Sequence, residues 1–446
     1  MAEAATTSTD PSPSVPPKQL LKLLLLAAVA GVVVSLASWC FLEAVHWIQQ
    51  GVFEDLPDAL GYDDGAPVWW PLPFCGLGGL IVAFAIVRLP GGGGHIPAHG
   101  LNPSPTLPVE LPGVMLAAIA GLGFGLVLGP EAPLLALGGG LATLAIQLVR
   151  RDAPPQVVTV MAASGAFAAI SFIFESPLIA AVLLIEAMGI GGERLKLVLV
   201  PGMLAAGLGS LVSLGLGSWT GLSTSDYALG TLSVPAFARP DVADFAWTIP
   251  FAVVVAIVVF VIMRLARELL RLVTSREFLL LPLAGLAVAG LAIAFSEATD
   301  KSASNVLFSG ESALPTLVSD AGTWSLSALA LVIVFKGLAY SISLASFRGG
   351  PVFPSLFLGA AGGLMASHLA GFAETAAVGV GMGAAFVAVL GLPLSAVVLA
   401  VLLIGESGQG ASPVIIVGVV VAFLTTRVLS RIESSRTAAD SAATAG

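Results

Sequence analysis

Charge is what this chain has least of. Only 10% of its 446 residues are Asp, Glu, Lys or Arg, against roughly 25% in a soluble domain. Cysteine occurs twice, tyrosine 3 times and histidine 4 times. So little charge excludes an ordinary soluble enzyme, and 57% hydrophobic residues exclude a disordered chain. Two cysteines cannot make a disulfide scaffold; Cys40 and Cys75 both lie in apolar runs and read as buried free thiols. A net charge of −9 argues against a nucleic-acid partner, because a duplex binder needs a basic face to displace counterions. There is no Gly-x-x-x-x-Gly-Lys-Ser/Thr phosphate loop and no His-Glu-x-x-His. No enzyme, cofactor or resident metal is therefore expected. Ser164 and His368 could be imagined as a protease pair, but nothing brings them together, and the small residues around Ser164 suit close helix packing.

What the chain has in quantity is uncharged apolar sequence. Such runs include residues 24–42, 66–87, 111–130, 132–149 and 153–174 in the first half, and 278–296, 349–373 and 375–405 in the second. About 20 apolar residues suffice to cross a bilayer as a helix. Some runs are too long for one crossing and others too short, and Gly and Pro break several. The pattern predicts an all-α polytopic membrane protein of tilted and broken helices. Residues 1–16 and 433–446 are small and polar and read as disordered tails. No cleavable leader is expected, since the first apolar run is long enough to span. Lys18 and Lys22 precede the first span, and Arg427, Arg431 and Arg436 follow the last. The positive-inside rule then puts both termini, and the connection carrying Arg264, Arg267, Arg271 and Arg276, in the cytoplasm.

The two halves resemble each other. Gly129-Pro-Glu-Ala-Pro-Leu-Leu-Ala-Leu-Gly138 matches Gly350-Pro-Val-Phe-Pro-Ser-Leu-Phe-Leu-Gly359 at both Gly, both Pro and two Leu. Pro177-Leu178 and Pro393-Leu394 each open an apolar helix ending near an acid, Glu186 or Glu406. The interval from Gly129 to Gly350 is nearly that from Pro177 to Pro393, as two related halves require. The division expected is a first membrane repeat over 17–221, a connecting loop over 222–245 and a second membrane repeat over 246–432. Repeats of this kind place their substrate site at the interface, where short helices begin and free N–H groups face an anion.

These segments resemble the CLC family of chloride channels and proton-coupled chloride exchangers. The family's Gly-Ser-Gly-Ile-Pro is similar to Gly93-Gly94-His95-Ile96-Pro97. Its Gly-Arg/Lys-Glu-Gly-Pro is similar to Gly129-Pro130-Glu131-Ala132-Pro133. Its Gly-x-Phe-x-Pro resembles Gly350-Pro351-Val352-Phe353-Pro354, with the Phe one place late. Residues 176–188 resemble its Ala-Pro-Leu segment ending in an acid and Met. The resemblance spans residues 20–430. It implies a plasma-membrane homodimer, each subunit an inverted repeat with its own pathway for chloride or another small anion. Glu131 matches the family's gating glutamate, and the anion-binding positions map to Gly94, His95, Ile96, Glu131, Ala132, Val352 and Phe353.

Departures accompany the matches. The family's anion-binding serine is Gly94 here, and no tyrosine follows Tyr340 to supply its late tyrosine ligand. Pro130 and Pro351 bring no N–H where the family has donors. The acid that exchangers use on the inner proton route falls on Ala187, after Glu186. Passive conduction is therefore favoured over anion/proton antiport, with a carrier of small organic anions as the reading outside the family. His95 and His99 are four apart but interrupted by Pro97; they read first as solvated cytoplasmic imidazoles, next as pore-lining or pH-sensing groups, and last as metal ligands. Glu175 reads as a helix-start acid in preference to a substitute proton site, and Glu186 and Glu406 as structural acids. Lys336 and Arg348 are either attractors of anions near an entrance or interfacial cations. Phe353, Phe357 and Phe386 are candidates to line the route.

Overall fold

An apolar run in lipid has no partner for its backbone but itself, so it must coil into helix. The computed structural model describes residues 17–62, 65–100, 106–189, 193–220 and 229–444. Its helices in the first half are α1 (Pro17–Gln50), α2 (Leu56–Ala59), α3 (Pro71–Arg88), α4 (Leu111–Gly123), α5 (Glu131–Val149), α6 (Pro155–Ile173), α7 (Pro177–Met188) and α8 (Glu193–Thr220). The second half contributes α9 (Val242–Val273), α10 (Glu277–Thr299), α11 (Ala313–Ser319), α12 (Leu326–Ser346), α13 (Val352–Ala366), α14 (Glu374–Leu390), α15 (Pro393–Leu403) and α16 (Gly408–Thr444). Nine helical stretches among the described residues are long and apolar enough to cross a membrane, and five apolar helices are shorter. Short helices such as α7, α13 and α15 fit the broken pattern expected of the sequence.

The repeat is built into the packing. Helix α5 lies on α6, and α13 lies on α14. At the first contact Gly138 meets Gly165 backbone to backbone; at the second Gly359 meets Gly381. Gly359 follows Gly138 by the same interval that separates Gly350 from Gly129. Gly381 follows Gly165 by the interval that separates Pro393 from Pro177. A Cβ at any of the four would strike the facing carbonyl. This is the small-residue contact that lets membrane helices approach closely. Ser164, beside this contact, returns its hydroxyl to Val160 O at 2.8 Å inside its own helix.

Helices α7 and α15 also correspond. Pro occupies the first turn of each, where its missing N–H costs nothing. The cap of α7 is Ser176, whose Oγ accepts from Ile179 N–H at 3.3 Å. Glu175 is not that cap; it takes a left-handed backbone, φ 48°, one residue earlier. Glu186 is structural as expected. Its carboxylate accepts from Leu394 N–H (2.9 Å), Ser395 N–H (2.7 Å) and Ser395 Oγ–H (2.6 Å) at the start of α15. One repeat thus caps a helix of the other.

Three expectations need correction. The connecting loop was expected over 222–245, but α9 begins at Val242. Asp241 and Asp244 form a reciprocal capping box there, which an unbroken hydropathy window does not register. The C-terminal tail was expected to be disordered from 433, yet α16 continues to Thr444. Glu433 anchors it by pairing with Arg267 (3.0 Å) and Arg264 (3.5 Å) of α9. Cys75 is buried, but Cys40 is exposed on α1; an apolar run that meets lipid presents apolar residues outward as well as inward. The tail at 1–16 lies outside the described residues.

Candidate functional site

Two helix starts face each other where the halves meet. Gly129 and Gly350 form an antiparallel bridge, with Gly129 N–H to Gly350 O at 2.7 Å and Gly350 N–H to Gly129 O at 2.6 Å. Each glycine is followed by a proline and then by a helix, α5 or α13. The N-termini of both helices are therefore brought together, and their free N–H groups converge.

Glu131 fills the space between them. It opens α5 and is 1% exposed. Its Oε1 accepts the N–H of Val352, and the amides of Phe353 and of Glu131 itself also face the carboxylate. Oε2 is buried without a hydrogen-bond partner among the described residues. A Cβ at Gly129 or at Gly350 would collide with this carboxylate. The side chain thus occupies the position toward which these amides converge, a geometry that suits a negatively charged group.

Helix α12 holds the junction from behind. Ser343 Oγ accepts from Val127 N–H at 3.1 Å. Tyr340 O–H donates to Pro351 O at 2.6 Å. Sequence reasoning noted Tyr340 only as the last tyrosine of the chain. A buried phenol with one polar partner leaves no periodic signal.

Residues flanking Glu131 line two cavities. Ala132 and Pro133 line one of about 280 Å³, named inner for the cytoplasmic side expected from the basic residues, together with Gly94, His95, Arg348 and Gly349. Pro130 lines an outer one of about 40 Å³ with His46, Gln49, Phe308, Ser309 and Glu311. Glu311 is a second buried acid, with Oε1 unpartnered among the described residues, and it interacts electrostatically with Glu131. The sequence reading did not single out Glu311.

The anion-binding positions carried over from the family separate into groups. Glu131, Val352 and Phe353 meet. Gly94, His95 and Ala132 line the inner cavity. Ile96 joins neither group and packs against the apolar core. His95 contacts Gly100 O through Nε2 at 2.6 Å; burial of the ring lowers its pKa, and the positive charge of Arg348 adds to this.

Lys336 is neither an entrance cation nor an interfacial one. It is fully buried, and Nζ reaches the carbonyls of Asn305 (3.1 Å), Val306 (3.2 Å), Leu307 (3.0 Å) and Phe308 (3.3 Å). It also lies 4.6 Å from the centroid of the Phe357 ring. The ammonium thus ties down the segment that leads into the outer cavity. Phe353 stacks on Phe174 at 5.5 Å, and Phe386 is core.

Comparison with known proteins identifies the family and the fold. The family model for voltage gated chloride channels matches residues 78–427. YfeO of Salmonella schwarzengrund, whose ion-transport role is itself a proposal, is 30% identical over 363 residues, covering 78% of this chain and 81% of that one. YfeO of Salmonella newport is 28% identical over 360 residues, with the same coverage. Among solved structures, a slow cyanobacterial Cl⁻/H⁺ antiporter aligns over 96% of this chain and 99% of its own, with TM-score 0.75 and 20% identity. A CLC-type fluoride/proton antiporter aligns over 92% of this chain and 96% of its own, with TM-score 0.68 and 18% identity. With its two half-chains meeting at Glu131 and the match covering most of its length, this chain belongs to the voltage gated chloride channel (CLC) family of integral membrane proteins.

Proposed function

We propose that the protein passes a small monovalent anion such as chloride across the cell membrane, and that Glu131 is the gate. The observation that carries this is the position of Glu131, with Pro130 on an outer cavity, Ala132 on an inner one, and the carboxylate on the amides between. A carboxylate there competes with an anion for the same N–H donors. It leaves when protonated or when an anion displaces it, and the path is then continuous. Passive conduction is the reading adopted. Glu186, beside Ala187, is committed to the start of α15, which removes one acid from any inner proton route.

A second reading is anion/proton antiport. It is favoured by Glu311, a buried acid on the outer side that could hold a proton near Glu131. Two of the structural neighbours are themselves antiporters. The family further suggests a homodimer with one path per subunit, formed by repeats whose limits follow α8 and α9. Cytoplasmic termini fit the arginines that join the ends of α9 and α16.

The test is anion efflux from liposomes holding native protein or Glu131→Ala, with valinomycin and a proton-sensitive dye. Chloride efflux without proton movement, altered by the substitution, is the expected result. Protons moving against chloride would establish antiport. No flux of any inorganic anion from either protein would overturn the assignment and leave organic anions to be tried.

A further inference from the structure

Arg348 is a buried cation that faces the anion path. It is 7% exposed and forms no ion pair among the described residues. Nε donates to Gly92 O at 3.2 Å and Nη1 to Phe347 O at 3.2 Å. A guanidinium carries five N–H groups, so these two bonds fix its plane and leave donors over. Arg348 is among the residues lining the inner cavity, two positions before the glycine that bridges to Gly129. The bond to Gly92 ties it to the first-motif loop as well.

The cavity also contains an acid, Glu110, but its Oε2 is engaged by Leu107 N–H at 3.0 Å in its own turn. Glu277 attracts Arg348 electrostatically without forming an ion pair. Neither provides a carboxylate in hydrogen-bond contact. A charge taken out of water without a partner is costly, and an anion in the cavity would neutralise it. A volume of about 280 Å³ far exceeds the roughly 10–15 Å³ that one water needs on the same measure, so water has room beside such an anion.

The wall carries the hydroxyls of Thr106 and Thr159, and the second is donated to Pro155 O at 3.0 Å. Gly94 brings no hydroxyl. What Arg348 adds is a flat fork of N–H donors, which matches two oxygens of one planar group better than a single sphere. We propose that the inner cavity is an anion site whose specificity is set by Arg348, and that it takes a planar monovalent oxyanion of the nitrate type in preference to a halide. This rests on the anion-transport reading and names the ligand class of its inner end.

Titration calorimetry on detergent-solubilised full-length protein tests it, with nitrate and chloride as the ligands. Nitrate should bind the native chain at least about tenfold more tightly than chloride. Arg348→Lys keeps the charge and loses the fork, so binding should survive and the preference should shrink to about threefold or less. Arg348→Gln should weaken nitrate by at least about tenfold. Native protein that binds nitrate no better than chloride would overturn the proposal, and this needs no variant to fold. Unchanged nitrate affinity in Arg348→Gln would do the same. If chloride flux persists in liposomes in either case, transport stands and the role of Arg348 falls. Nitrate held through Arg348 in a protein that moves no anion would uphold the site and retire transport.

Discussion

Gly129 and Gly350, one from each half of the chain, exchange both of their backbone hydrogen bonds and leave only the Glu131 carboxylate between the helices they introduce. Neither position has room for a side chain, because the carboxylate occupies the space where a Cβ would lie. Gly350→Ala should therefore destabilise the protein by about 1–3 kcal/mol, the usual cost of overpacking. All three atoms nearest the added methyl belong to the Glu131 side chain. In a Glu131→Ala background the same substitution should cost much less. Thermal unfolding of the four proteins of this cycle measures the coupling; equal costs in both backgrounds would refute the account.

Lys336→Met gives a second prediction. The change keeps the length of the side chain and removes the ammonium from four carbonyls. Hydrogen bonds to a charged group contribute roughly 1.5–3 kcal/mol each, and here one donor group serves several acceptors. A loss of at least about 1.5 kcal/mol is expected. It should be accompanied by faster amide exchange over 305–311, the segment that leads into the outer cavity. Unaltered exchange there would show that the ammonium does not organise this segment.

The cap that one repeat provides for the other can be tested through Glu186. Glu186→Ala strips the acceptor from Leu394 N–H, Ser395 N–H and the Ser395 hydroxyl. Loss of a helix N-cap costs about 0.5–2 kcal/mol. A melting temperature equal to that of the native protein would show that water replaces the carboxylate at no cost. Glu186→Gln retains one acceptor oxygen and should fall between the two.

The last prediction concerns pH. His95 has a pKa below its ordinary 6.5, chiefly because burial disfavours its charged form. The unfolded chain therefore takes up this proton first as pH falls. Stability contributed by the neutral ring is fully present above 6.5 and declines as pH drops below that value. His95→Gln should flatten this part of the pH–stability curve. An unchanged curve between the native protein and the variant would assign the acid sensitivity to other groups.

Much of this was legible in the sequence because membrane constraints are severe. Apolar runs gave the helices, and Gly-Pro pairs gave the starts of α5 and α13. The two intervals that relate the halves reappear as physical contacts at Gly138–Gly165 and Gly359–Gly381. What escaped were single buried polar groups. Tyr340, Ser343 and Glu311 lie in segments whose periodicity is set by their apolar neighbours, and nothing in the chain order announces their partners. The role of Lys336 was misread for a related reason. Four backbone carbonyls can satisfy a buried cation, and carbonyls are invisible in a sequence. Cys40 was misplaced because an apolar run implies burial only when its solvent is water.

The paired glycine contacts bear on how such a path could open. At each, main chain rests on main chain, and a single methyl group is already too much. Helices clamped in this way have no compressible layer along which to slide. The motion most easily available at the junction is rotation about the single bonds of one carboxylate side chain. Opening would then be a displacement of a few atoms within a stationary frame, akin to a tumbler turning in a fixed lock.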